Sequence, residues 1–83
     1  MKPEKIVITL DFHNFDAACK QAYSRAISLF MIDESGHCLK YPEVRRFAYT
    51  LVVEFQNYRH SGGMSGHSME YTFKAWLDVS KEE

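Results

Sequence analysis

The chain has 83 residues, is 46% hydrophobic and 25% charged, and carries a formal net charge of −1. Those values fit one ordinary globular domain and exclude a disordered chain. They disfavour a non-specific nucleic-acid binder, whose affinity comes from an excess of Lys and Arg that neutralises phosphate.

No stretch is apolar for long enough to span a bilayer, and no N-terminal apolar run resembles a signal peptide. Cys19 and Cys38 form neither a disulfide framework nor a Cys-x-x-Cys pair. A cytoplasmic protein with no membrane association is therefore expected. So small a chain buries a modest core, which makes a homodimer an economical way to gain stability.

After a short polar lead-in, Lys5–Phe12 alternates in strand fashion, with Ile6, Ile8, Leu10 and Phe12 on one face and Val7, Thr9 and Asp11 on the other. Asn14 is a good N-cap, and Asp16 suits the positive end of a helix dipole. From Phe15 the period becomes helical. Phe15, Ala18, Cys19, Ala22, Ala26, Leu29 and Phe30 form an apolar stripe that ends near Met31. Asp33-Glu34-Ser35-Gly36 then signals a turn, which could close a short hairpin between Leu29–Ile32 and His37–Lys40.

From Pro42 the sequence supports two periods. Val44, Phe47, Ala48, Leu51, Phe55 and Tyr58 recur at helical spacing, so a second helix at 42–58 is one alternative. The β-branched and aromatic content of Phe47–Tyr58, with Phe47, Tyr49, Leu51, Val53 and Phe55 on one face, favours a strand. A weak echo of Thr9–Phe15 in Val52–Tyr58 points the same way. Met69–Val79 reads as a further strand. Between these two lies Arg59–Ser68, which holds three of the four glycines and two of the four histidines. It is expected to be a mobile ten-residue loop.

The expected fold is α+β, a single β-α-β-β domain over 1–83 with one helix packed on a mostly antiparallel sheet. Two edges and one face of such a sheet are open.

The chemical candidates are modest. His60 and His67 could clip a metal with His13 or Cys38, but their spacing matches no standard zinc site. The Ser61–Gly66 stretch lacks the phosphate-loop pattern. Cys38 beside His37 could be an activated thiol, although neighbours in an extended segment point to opposite faces. Asp11 and Glu54 could pair as carboxylates if their strands adjoin.

Neither a catalytic residue set, a metal site nor a cofactor is expected. The expected function is that of a small non-enzymatic interaction or regulatory protein that binds another macromolecule, most simply a protein partner. Its binding residues are expected to be Tyr58, Arg59, His60, Gly62, Gly63 and His67 on the loop, with Arg45 and Arg46 upstream. One alternative is a nucleic-acid module that stacks bases on Tyr58 and Trp76 beside Arg45, Arg46, Arg59 and Lys74. Another is a metal protein or small enzyme built on His60, His67 and Cys38.

Overall fold

The structure, a computed structural model, describes residues 3–63 and 66–79, with the backbone alone over 61–63 and 66–68. Strand β1 (Ile6–Phe12) leads into helix α1 (Phe15–Phe30), followed by two long strands, β2 (Thr50–Gly63) and β3 (Gly66–Asp78). The strands form one sheet in the order β1-β3-β2, and both pairings are antiparallel. This is the expected α+β arrangement, one helix on a three-stranded antiparallel sheet. No helix among the described residues is long and apolar enough to cross a membrane.

The helix begins where its N-cap chemistry places it. The Asn14 carboxamide oxygen accepts the Ala17 N–H at 2.8 Å, and Asp16 occupies the first turn. It ends in a Schellman motif, with Met31 N–H bonding to Ser28 O at 3.1 Å and Ile32 N–H to Ile27 O at 3.0 Å. That motif needs a left-handed residue, and here the residue is Met31 at φ 57°.

Ala18, Ala22, Ala26 and Phe30 make the buried stripe of α1. Their spacing of four puts them on one face, and three alanines let the helix lie close to the sheet. Opposite them sit Ile8 and Leu10 of β1 and Tyr71, Phe73, Ala75 and Leu77 of β3, all buried. These pair across the sheet as Ile8 with Phe73 and Leu10 with Tyr71, so the face of the sheet beneath the helix is apolar. The other face carries Val7, Thr9, Thr72, Lys74, Trp76, Val52 and Glu54, and no described element lies over it.

The link from α1 to β2 forms compact turns at the C-terminal end of α1. Ile32 and Cys38 make a single bridge, which realises only the inner rung of the expected short hairpin. The Asp33 carboxylate accepts from the backbone N–H groups of Ser35 and His37 and from the Ser35 hydroxyl. Gly36 takes φ +81°, and a Cβ there would stand 2.5 Å from Cε1 of Phe47. The Tyr49 hydroxyl donates to Gly36 O at 2.9 Å. Val44 and Cys38 are buried beneath these turns.

Three expectations about the second half of the chain are corrected. The alternative helix at 42–58 does not form: residues 41–48 turn, with Val44 N–H bonding to Tyr41 O and Ala48 N–H to Arg45 O. The strand nevertheless starts at Thr50 rather than Phe47, because Phe47 sits in the left-handed region at φ 65° and breaks the extended run.

Arg59–Ser68 is not a ten-residue loop. The ladder continues through Arg59↔Glu70, His60↔Met69, Ser61↔Ser68 and Gly62↔His67 to Gly63↔Gly66, so paired backbone bonds offset the entropy that an open loop would have retained. The connection itself, residues 64–65, lies outside the described residues.

Candidate functional site

Helix α1 packs mainly against β1 and only lightly against β2. On the apolar face of β2, an edge strand, Leu51 and Val53 are half-buried against the core, whereas Phe55 and Tyr58 further along stay exposed.

A β-bulge decides which side chains these are. Phe55 pairs with Phe73 and Asn57 pairs with Thr72 on the next rung, leaving Gln56 without a rung of its own. Strict alternation would send Phe55 and Tyr58 to opposite faces. The extra residue instead returns Tyr58 to the face of Phe55, opposite the buried Tyr71.

The result is a connected ring cluster. Phe15 meets Phe55 edge-on at 5.1 Å between centroids, Phe55 meets Phe73 at 5.8 Å, and Phe15 meets Tyr71 at 6.0 Å. Tyr58 stacks on Tyr71 at 5.9 Å and 26°. Such contacts fix ring orientation and add roughly 0.5–1.5 kcal/mol per pair beyond area burial. Phe15, Phe55 and Tyr58 remain 45%, 41% and 56% exposed, respectively.

The polar side chains of the same segment lie on the opposite face. Glu54 faces Lys74 across the ladder, and Arg59 faces Glu70, with 3.4 Å between Arg59 Nη2 and Glu70 Oε1. This pair is largely solvated, so it contributes little to stability. Gln56 folds back to donate to Glu54 Oε1 at 2.9 Å.

The residues expected to bind fall into three groups. Tyr58, Arg59 and His60 lie together on the outer half of β2, with Tyr58 and His60 towards the apolar face and Arg59 towards the open one. Gly62, Gly63 and His67 have their backbone in the same ladder, and the His67 side chain lies outside the described residues. Arg45 and Arg46 are at the other end of the molecule. They line a cleft of about 320 Å³ with His37 and Glu43. Nearby Tyr41 is tied to the start of β1, its hydroxyl accepting the Glu4 N–H at 3.3 Å. From Thr50 to Arg59 the strand advances roughly 30 Å at about 3.3 Å per residue.

The same geometry separates other groups that looked close in sequence. Tyr58 and Trp76 lie on opposite faces of the sheet, and Trp76 has the Lys5 ammonium 4.5 Å from its ring centre. Asp11 and Glu54 do not adjoin, because β3 runs between their strands and opposes Asp11 with Glu70 and Glu54 with Lys74.

Cys38 is fully buried, and its thiol donates to Phe30 O at 3.0 Å, so it is not displayed as a nucleophile beside His37. Burial, reinforced by Asp16, pushes the Cys19 thiol up, away from the reactive thiolate. No group of three potential metal ligands comes together among the described residues.

Phe15 and Phe55, the two rings that complete the cluster, read as core from sequence. Both rings are nevertheless partly exposed, Phe15 at the first residue of α1 and Phe55 beside the bulge of β2, and periodicity carries no signal of that exposure. No family model matches the chain, and no curated protein or solved structure matches it.

Proposed function

We propose that this is a small non-enzymatic interaction protein that binds a protein partner along β2. Phe15, Phe55 and Tyr58 form its anchor, and the paired extension of β2 and β3 beyond Phe12 widens the contact. One observation carries this reading: three preoriented aromatic rings stand exposed next to an edge strand that, among the described residues, has no strand on its outer side. Aromatic side chains are enriched at the energetic centres of interfaces, and an edge strand can add a partner's strand by backbone bonding.

The test is capture from the native host, comparing wild type with the Phe55→Ser/Tyr58→Ser double variant by quantitative mass spectrometry. The proposal predicts specific species that are retained by wild type and lost with the variant while the variant keeps its circular dichroism spectrum. Identical capture profiles would place the interaction elsewhere.

A further inference from the structure

We propose that the partner at β2 is a second copy of this chain, added antiparallel to β2 across a two-fold axis at Asn57, giving a continuous six-stranded sheet. This rests on the docking role proposed for β2 and goes further by naming the occupant and its register.

The register follows from the bulge. In a two-fold antiparallel pair, residues that meet must point to the same face. Gln56 takes no rung, so counting outward from Asn57 pairs Phe55 with Tyr58 of the second copy, Glu54 with Arg59, and Val53 with His60. Each pair shares a face. The same count reaches Thr50 on one side and Gly63 on the other, which are the two ends of β2. The strand therefore overlaps its copy along its whole length with no overhang.

The side chains complement each other in this register. On the apolar face one row reads Phe73, Phe55, then Tyr58 and Tyr71 of the second copy, an unbroken line of four rings across four strands. On the open face the flanking row reads Lys74, Glu54, then Arg59 and Glu70 of the second copy, alternating in sign at every step. Asn57 meets its own copy on the axis, where two carboxamides can each donate and accept. A bulge and charged side chains usually blunt a strand edge against pairing. Here every charge on the edge meets its opposite at the symmetry-related position, so these features select one register rather than forbid all.

The decisive experiment uses the variants Glu54→Arg and Arg59→Glu in sedimentation equilibrium. Wild type should associate towards twice its 9.7 kDa mass. Each variant alone would meet its copy with two like-charge pairs and should dimerise at least about tenfold more weakly. Mixed one to one, the variants form two opposite-charge pairs, and the dimer should return. A loss of folding in either variant could not produce that recovery. A wild-type sample half labelled with ¹³C should also show cross-chain NOEs between Phe55 and Tyr58, which needs no substitution.

A wild-type monomer throughout, or variants that dimerise as wild type does, would overturn the proposal. So would a mixture that stays monomeric while each variant is folded. Those outcomes leave the broader docking role to the capture experiment, which fails separately if the double variant binds as wild type does.

Discussion

At the residue scale, two left-handed positions mark where local conformation is held by its surroundings. Met31 closes α1 at φ 57°, a conformation that costs a residue with a Cβ roughly 1–2 kcal/mol. Met31→Gly should therefore raise stability by about 0.5–1 kcal/mol, the remainder going to the greater freedom of glycine in the unfolded chain. Chemical denaturation would measure it.

Gly36 is the reverse case. With φ +81° and the Phe47 ring over its α-carbon, Gly36→Ala should cost about 1–2 kcal/mol and move Phe47. Asp33 adds a pH dependence. Hydrogen bonds from the Ser35 hydroxyl and the His37 backbone, with further contributions from Ser35 N–H and the His37 charge, hold its carboxyl below the usual range. A lowered folded pKa stabilises above the unfolded value, near 3.9, and the effect is lost as pH falls through the folded pKa. Asp33→Asn should lower Tm at neutral pH, and the gap should close as pH falls below the unfolded value and through the lowered folded pKa.

At the scale of elements, much of the fold is legible because helix and strand periods are unambiguous in places. Asn14 caps α1 where expected, and β1 carries Ile8 and Leu10 inward as its alternation requires. The 42–58 stretch was readable in both periods, and only pairing with β3 decides it. Two features left no trace in the pattern. One is the bulge at Gln56, since an extra residue looks like any other polar residue until a partner strand shows the skipped rung. The other is the pairing of Ser61–Gly63 with Gly66–Ser68, where glycine suggested a loop and the antiparallel ladder prevails.

The bulge also yields a prediction. Deleting Gln56 should leave every rung of β2 with β3 in register, because the residue occupies none. Amide exchange protection on β3 should survive the deletion, and loss of protection from Glu70 to Phe73 would contradict the assignment. Tyr49 links the turns to the sheet. Tyr49→Phe removes the donor to Gly36 O and should cost about 1 kcal/mol by thermal unfolding.

At the scale of the whole molecule, one asymmetry organises the candidate site. The apolar face is buried or half-buried along β1, β3 and the inner end of β2, and it stays exposed at Phe55 and Tyr58 on the outer part of β2. The buried part is dense. Phe30 is fully enclosed between the alanine stripe, Cys38 and the turns, and Phe30→Ala should cost about 3–5 kcal/mol, enough to unfold most of a domain this small.

On the reading proposed above, a partner strand added at β2 extends the sheet past these exposed rings. Sequence patterning places Phe15 and Phe55 on core faces, and the structure leaves both partly exposed. Arg45 and Arg46, expected among the binding residues, instead line a separate cleft with His37 and Glu43.

The most direct test of this account is ring-proton relaxation by a soluble paramagnetic agent, measured across a wide range of protein concentration. The docking surface and its self-complementary register predict strong relaxation of Phe15, Phe55 and Tyr58 in dilute protein. At high concentration Phe55 and Tyr58 should become protected, while Trp76 on the opposite face stays unchanged. Rings on β2 that are shielded in the dilute sample, or protection that develops on the Trp76 face instead, would contradict it.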